Sequence, residues 1–236
     1  MRLDAYLVAN ALALSRNKAQ ELLEAGLVRV NGAVVLKPSY KVQDEDAIEV
    51  AEHNNYVSRA AYKLSGFLEE HAIKLHAKRA LDIGSSTGGF TQVLLQNGVS
   101  EVVAVDVGTN QLHPTLKNDP RVHSFENCDI RDFQSETPFA LVVSDVSFIS
   151  LLHILDAVDT LACGAIILLF KPQFEVGKEA KRDKHGVVVD TKAIAHAMER
   201  FERTCQEKGW HLNIKTPAHI TGKEGNLEYC YYYEKR

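Results

Sequence analysis

The amino-acid sequence predicts an α/β protein in which a smaller N-terminal unit is followed along the chain by a doubly wound, mostly parallel sheet. From residue 58 onward, segments of strand character alternate with segments of helical periodicity, which is the pattern of such a sheet. A glycine-rich loop, "GSSTGG", follows the first of these strands, at the position where this fold class holds its ligands. The first 50 residues follow another pattern and therefore predict a separate unit.

Two short helices and three short strands are predicted for that first unit. Leucines recur at helical spacing, Ser15 can cap the second helix, and Gly26 ends it. The strands "LVRV" and "AVVL" flank an Asn-Gly turn, which is typical of a tight hairpin, and "AIEV" follows. We therefore predict an α+β domain at residues 1–52, a linker at 53–57 and the larger domain at 58–236.

Seven strands are predicted in the larger domain. The apolar run at 165–170 leads directly into Lys171 and indicates a strand buried on both faces. A helical stretch at 151–162 precedes this strand, and a helix at 191–208 follows it. The strands are, in chain order, "RALDIG", "EVVAVD", "RVHSFE", "FALVVSD", "AIILLFK", "HLNIKT" and "LEYCYYYE".

The composition excludes several classes of protein. A net charge of -4 with 45% hydrophobic residues is ordinary for a globular protein and argues against a chain that coats nucleic acid. The four cysteines form no CxxC pair, so we expect reduced thiols, no metal site and no disulfide framework. The longest nearly uncharged apolar stretch is too short to span a bilayer, and residues 1–20 lack the core of a signal peptide. We therefore expect a cytoplasmic protein.

Glycines and carboxylates mark the expected ligand edge of the sheet. The segment "LDIGSSTGGF" places three glycines where a strand turns into a helix, whose N-terminus faces the ligand crevice. Ser86 stands where a dinucleotide fingerprint has its middle glycine, which disfavours a nicotinamide cofactor. Asp82 and Asp106 suit a nucleoside with free ribose hydroxyls, and S-adenosylmethionine presents such a ribose without a pyrophosphate.

Charged residues follow three further strands. Asp129 follows the third strand and could accept a hydrogen bond from an adenine amine or lie in a surface turn. Asp145 ends the fourth strand and Lys171 the fifth, so adjacent parallel strands would bring them together at the ligand edge. The pair is either a structural ion pair or part of a reaction site, and the residue pattern alone leaves both open.

Five motifs of the larger domain resemble one known family. They are "VSRAAYKL", "DIGSSTGGF", "VSDVSFIS", "KPQFEVGK" and "GNLEY". Together they resemble the TlyA-type proteins, often named hemolysins, whose catalytic domain is similar to FtsJ-type ribose methyltransferases. "RLDAYLVANALALSRNKAQELLEAGLVRVNG" with "KPS" resembles the S4-like RNA-binding module of that family. The resemblance implies a Rossmann-like S-adenosylmethionine-dependent methyltransferase domain with a mostly parallel seven-stranded sheet, behind a small α+β S4-like domain.

The resemblance also implies roles for single residues. A catalytic tetrad would consist of Lys63, Asp145, Lys171 and Glu228; Glu224 is near in sequence but does not occupy the motif position. Asp106 would bind the cofactor ribose and Asp129 would lie near the adenine. The remaining cofactor-loop residues would be Gly84, Ser85, Ser86, Gly88 and Gly89. The loop "TPAHITGKEGN" is less proline-rich than the family pattern, which is a departure at the substrate-facing loop.

Lys171 would act at the nucleophilic hydroxyl. It can serve as an ammonium beside the developing oxyanion or as a neutral amine that accepts the proton. We favour electrostatic stabilisation and orientation by Lys171, with Asp145 holding the lysine in place.

RNA capture is expected from cations of the small domain and from Arg59, beside Lys63. Seven acidic residues within residues 1–50 nearly balance these cations, so RNA binding requires the cations to share one face. Recognition of folded shape and phosphate position is then favoured over base reading by the module alone. The candidate cations of the module are Arg2, Arg16, Lys18, Arg29, Lys37 and Lys41.

The implied function is methylation of a ribose 2'-hydroxyl, of a cytidine, in ribosomal RNA or ribosomal subunits. The compact ends of the chain favour large-subunit RNA. A catalytically silent ribosome-assembly factor is a second hypothesis, disfavoured by the four tetrad matches. A membrane-acting hemolysin is a third, disfavoured because no cationic amphipathic helix or spanning segment supports it. We expect no membrane partner and no obligate protein partner.

Overall fold

The chain divides into two compact units, Met1–Tyr56 and Val57–Arg236. The structure is a computed structural model that describes residues 1–24, 26–50, 56–75 and 79–235. Most of the predicted linker at 53–57 lies outside the described residues. Among the helices of the described residues, none is long and apolar enough to cross a membrane.

The N-terminal unit combines two helices with a three-stranded antiparallel sheet in the order β2-β1-β3. Asn31 and Gly32 both have left-handed backbone conformations, φ 51° and 79°, as the predicted tight hairpin requires. Leu3, Leu7 and Leu23 from the two helices are fully buried against β1. The elements are α1 (Leu3–Ala9), α2 (Arg16–Glu24), β1 (Val28–Val30), β2 (Ala33–Val34) and β3 (Ile48–Val50).

The second unit is built on a seven-stranded sheet in the order β6-β5-β4-β7-β8-β10-β9, in which β10 runs antiparallel to both of its neighbours. This confirms the predicted α/β class and the mostly parallel seven-stranded sheet. The elements are α3 (Ala60–Glu70), β4 (Arg79–Ile83), α4 (Gly89–Gln96), β5 (Glu101–Val105), α5 (Pro114–Lys117), β6 (Val122–Phe125), β7 (Phe139–Ser144), a 3-10 turn (Leu151–His153), α6 (Leu155–Leu161), β8 (Ala162–Phe170), α7 (Pro172–Glu175), α8 (Thr191–Glu207), β9 (Trp210–Pro217) and β10 (Tyr229–Lys235).

Strand register brings several chain segments to one edge of this sheet. The order of the parallel strands reverses between β4 and β7, and ligands bind at such switch points in open α/β sheets. Ile83 pairs with Ser144, and Ser144 pairs with Leu168, so β4, β7 and β8 end near the same level. Tyr229, at the start of β10, lies opposite Phe170, at the end of β8. The residues just beyond these positions therefore meet at one edge.

A buried carboxylate organises the N-terminal unit. Asp4 is fully buried, and its two oxygens accept hydrogen bonds from Arg2 and Arg16 at 3.0 Å. The two guanidinium groups hold the pKa of Asp4 far below its usual range. Arg2 also forms a backbone bridge with Lys41, so three of the predicted RNA-binding cations surround this region.

Replacing Asp4 with asparagine should destabilise the N-terminal unit by about 2 kcal/mol, because two guanidinium groups would lose their buried counter-charge. The folded pKa of Asp4 is lower than the unfolded one. The stabilisation is therefore present above about pH 4 and is lost as the pH falls. Hydrogen exchange of the amides of α1 and β1 at pH 7 measures this loss. The exposed Asp44→Asn is the matched control, and equal protection in the two variants would contradict the prediction.

Candidate active site

Two lysine–carboxylate pairs lie at the edge where the parallel strands end. The Nζ atom of Lys171 is 2.5 Å from Oδ1 of Asp145, and Nζ of Lys63 is 2.6 Å from Oε2 of Glu228. All four side chains are at most 12% exposed. Asp145 also lies within electrostatic range of both Lys63 and Glu228. The structure thus brings together the four residues of the expected tetrad.

The sheet and one helix place these four side chains. Asp145 and Lys171 directly follow the neighbouring parallel strands β7 and β8, as their positions in the sequence predict. Glu228 directly precedes β10, and Lys63 projects from the buried face of α3. The loop before β10 is docked on α3, because a Cβ atom at Gly66 would come within 2.6 Å of the His219 ring. Hence the loop before Glu228 and the helix that bears Lys63 are packed against each other.

Lys171 has two fixed partners in this cluster. Beside its ion pair with Asp145, its ammonium group donates a hydrogen bond to Oγ of Ser147 at 2.8 Å. Burial raises the pKa of Asp145, while the positive charges of Lys171 and Lys63 act in the opposite direction. An ammonium group has three N–H donors, so one donor remains for another acceptor.

Two adjoining cavities flank the cluster. The larger one has a volume of about 340 Å³, lies between the ends of β4, β5 and β7, and is partly lined by Asp106 and Asp129. The smaller one, of about 160 Å³, is lined in part by Lys171 and the glycine-rich loop. Residues that line both cavities are Gly84, Ser86, Asp145 and Ser147. A ligand in the larger cavity and a group in the smaller one would therefore meet beside the Lys171–Asp145 pair.

Neighbouring chain segments lie so close to the glycine-rich loop that two of its glycines leave little room for a side chain. Gly84 has φ 76°, and a Cβ atom there would lie 3.1 Å from the Val146 side chain. A Cβ atom at Gly89 would lie 2.1 Å from Oγ of Ser58, so α4 begins directly against the segment that leads into α3. Larger residues at these two positions would push the loop out of the cavity wall.

Asp106 fixes the other side of this loop. Its Oδ2 accepts a hydrogen bond from the backbone N–H of Ser86, and its Oδ1 accepts one from the N–H of Gly108, both at 2.7 Å. Each carboxylate oxygen has further acceptor capacity, and the residue lines the larger cavity. Asp106 can therefore hold a ribose hydroxyl while it braces the loop.

Two predicted cofactor contacts look different in the structure. Asp82 lies inside β4, is fully buried and accepts a hydrogen bond from Thr91 at 2.6 Å, and it lines neither cavity. Burial raises the pKa of Asp82 to about 7. The side chain of Asp82 thus joins β4 to α4, and a direct cofactor contact by Asp82 stays a prediction. Asp129 does line the larger cavity, but Arg131 occupies both of its oxygens and lowers its pKa to about 2. An adenine contact by Asp129 stays a prediction.

The expected RNA-binding cations divide into two groups. Lys18 is 7% exposed and its ammonium group binds Glu21 at 2.8 Å on the same helix. An RNA contact by Lys18 stays a prediction. The remaining candidates have exposed or half-exposed side chains: Arg2, Arg16, Arg29, Lys37, Lys41 and Arg59.

Sequence reasoning missed one buried carboxylate in α7 and one exposed aromatic ring in the wall of the larger cavity. Glu175 of α7 is 4% exposed and accepts hydrogen bonds from Oγ of Ser150 and the N–H of Leu151, at 2.6 and 2.7 Å. Burial raises the pKa of Glu175. Phe148 is 92% exposed at the cavity wall, has φ 65°, and packs its ring 5.3 Å from that of Phe174. Nothing in the local pattern of "SFIS" or "KPQFE" distinguishes such residues from core positions.

The described residues contain no cluster of three or more His, Cys, Asp or Glu side chains that could hold a metal ion.

Comparison with known proteins connects this geometry to a family. The model of FtsJ-like methyltransferases matches residues 56–235, and that of the S4 domain matches residues 1–48. The 23S rRNA (cytidine-2'-O)-methyltransferase TlyA of Campylobacter jejuni is 47% identical, and the alignment covers 100% of both chains. The 16S/23S rRNA (cytidine-2'-O)-methyltransferase TlyA of Mycobacterium tuberculosis is 44% identical over 97% of this chain and 87% of its own.

A solved structure agrees with these relatives. A putative hemolysin from Streptococcus thermophilus superposes with a TM-score of 0.75 at 35% identity, covering 100% of this chain and 88% of that one. Because both the family model and full-length relatives match, this chain belongs to the FtsJ-like methyltransferases, and within them to the TlyA type.

Proposed function

We propose that this chain transfers a methyl group from S-adenosylmethionine to the 2'-hydroxyl of a cytidine in ribosomal RNA. The observation that carries the proposal is the position of the Lys171–Asp145 pair where the two cavities adjoin: Asp145 lines both cavities, and Lys171 lines the smaller one. The names of the two TlyA relatives support the substrate. We favour large-subunit RNA, because the relative that aligns over its full length is named for 23S rRNA alone.

The larger cavity fits the cofactor. Its volume of about 340 Å³ is suited to a small organic ligand, and it lies at the switch point of the sheet. Ile83, Val105 and Ile130 offer apolar surface for a base, and Asp106 offers acceptors for ribose hydroxyls. When bound, S-adenosylmethionine supplies an electrophilic methyl group on a sulfonium, from which a neutral thioether leaves.

The protein's own contribution concerns the hydroxyl nucleophile. The Lys171 ammonium group donates a hydrogen bond to Ser147 and forms an ion pair with Asp145, and we assign a remaining N–H donor to the target oxygen in the smaller cavity. Lys171 then orients the hydroxyl and stabilises the negative charge that develops as its proton is lost to solvent and the O–C bond forms. An ammonium group cannot accept that proton. In this arrangement Lys171 is therefore an electrostatic group and not the base.

RNA capture and catalysis are assigned to different domains. We propose residues 1–52 as the RNA-binding domain, with Arg2, Arg16 and Lys41 contacting phosphates, and residues 58–236 as the catalytic domain. Ribosomal RNA or a ribosomal subunit is then the partner, and the cytoplasm is the site of action.

Phe148 supplies a surface for the target base. An aromatic ring that is 92% exposed beside the reaction site can stack on a base that has left its helix, and such stacking contributes roughly 1–3 kcal/mol. Phe148→Ala should therefore raise KM for RNA by about tenfold or more. Phe148→Tyr, which keeps a ring, should stay near the unaltered value, and steady-state kinetics with saturating cofactor measures both. Equal KM values for the alanine and tyrosine variants would contradict the stacking role.

The function is tested by methyl transfer to purified ribosomal particles. The chain is incubated with radiolabelled S-adenosylmethionine and with large subunits, small subunits or naked rRNA from a strain that lacks the enzyme, and 2'-O-methyl sites are then mapped. We expect label at a cytidine of large-subunit RNA. Binding to subunits without any methyl transfer would instead identify an assembly factor, and label on a base would refute ribose methylation.

A further inference from the structure

Glu228 has a second side-chain partner beside Lys63. Gln173, in α7, donates a hydrogen bond from Nε2 to Oε1 of Glu228 at 3.0 Å, while Oε2 of Glu228 binds Lys63 at 2.6 Å. The two oxygens of the carboxylate are thus held by two different donors. Since α7 begins directly after Lys171, Gln173 links the strand that bears Lys171 to the carboxylate of the other pair.

The surroundings leave the Glu228 carboxylate little room to turn. It is 2% exposed, and a Cβ atom at Gly222 would come within 2.5 Å of its Oε1. The backbone of Gln173 is fixed as well, because its carbonyl accepts a hydrogen bond from Arg182 at 3.1 Å. The orientation of Glu228 is therefore set by the donors on its two oxygens.

The Gln173 side chain is itself incompletely satisfied. Its Oε1 is buried and has no hydrogen-bond partner among the described residues. Burying an unpaired amide oxygen costs stability, so packing alone would favour an apolar side chain of similar size. The hydrogen bond to Glu228 is the interaction that an amide makes here and an apolar side chain would not.

We propose that Gln173 is a positioning residue for methyl transfer, which fixes the Glu228 carboxylate and through it the Lys63 ammonium group beside the Lys171–Asp145 pair. This role rests on the proposed function. Gln173 lines neither cavity, so it acts through Glu228 and not by contact with the cofactor. A neutral amide can hold the carboxylate without competing for Lys63, whereas a second carboxylate in its place would compete.

Two substitutions test this role on the full-length protein with ribosomal RNA as substrate. Gln173→Ala should lower kcat by about tenfold, while the Kd for S-adenosylmethionine stays within about twofold. Gln173→Glu should lower kcat and also shift the acid limb of the kcat–pH profile upward by about one unit. The shift is expected because two adjacent buried carboxylates resist ionising together. Gln134→Glu, the same change at an exposed position, is the matched control and should leave both quantities unchanged.

The outcomes separate this role from a structural one and from the function itself. A loss of activity that merely follows a loss of cofactor binding or of folded protein would overturn the positioning role. So would variants whose kcat and pH profiles match those of Gln134→Glu. If the unaltered chain transfers no methyl group at all, the proposed function fails and this role fails with it. If the unaltered chain is active and the Gln173 variants have the same kcat and pH profile as the unaltered chain, only the positioning role is refuted.

Discussion

Replacing Lys171 with alanine should abolish methyl transfer, lowering the single-turnover rate by about 10³-fold. In the proposed function, the variant loses the cation that orients the nucleophilic hydroxyl and stabilises the developing negative charge. It also leaves Asp145 without its 2.5 Å partner. The cofactor cavity does not include Lys171 in its wall, so the Kd for S-adenosylmethionine should change by no more than about twofold. Single-turnover methylation and equilibrium binding measure the two quantities independently.

The exposed Lys192→Ala, on α8, is the matched control for removing a lysine from this domain. A Lys171 variant that transfers methyl groups at the unaltered rate would disprove the assignment. If rate and cofactor affinity fell together, the lysine would be supporting the cavity and not the reaction.

Replacing Asp106 with alanine should raise the Kd for S-adenosylmethionine by about 100-fold. The carboxylate holds the N–H groups of Ser86 and Gly108 at 2.7 Å, and in the proposed function it also accepts hydrogen bonds from ribose hydroxyls. Asp106→Asn keeps one acceptor oxygen and should fall between the alanine variant and the unaltered protein. Isothermal titration calorimetry with S-adenosylmethionine measures the series.

The exposed Asp44→Ala, in the other domain, controls for the loss of one negative charge. If the asparagine and alanine variants bound the cofactor as tightly as this control, Asp106 would have no part in the cofactor site.

The sequence predicted one pair of the tetrad on physical grounds and the other only through resemblance. Asp145 and Lys171 follow consecutive buried strands, and consecutive parallel strands commonly lie side by side, so their meeting could be expected from the pattern alone. Lys63 and Glu228 are 165 residues apart, and one precedes the first strand of the sheet while the other precedes the last. No local periodicity encodes that contact, because it depends on how the loop before β10 packs on α3.

For Asp82 and Lys18, the residue type and its approximate position in the sequence were not enough to predict the burial and the partners that the structure shows. The predicted strand "RALDIG" already contained Asp82, but the pattern did not show that its side chain would be fully buried and bonded to Thr91 of α4. Lys18 lies on a helix three residues before Glu21, and the ion pair is between these two side chains. Composition does not distinguish a lysine held in such a pair from a lysine that is exposed to solvent.

Strand β10 comes last in the chain but lies between β8 and β9 in the sheet. The two parts of the site are therefore completed at different times during synthesis. The wall of the larger cavity consists of residues 83–154, whereas Glu228 enters only with the last strand. During synthesis from the N-terminus, the cofactor-binding part is complete well before Lys63 can acquire its carboxylate partner. A chain that lacks the segment from Glu228 through β10 would therefore hold the proposed cofactor-binding residues but not the complete tetrad, and in the proposed function it would not transfer methyl groups.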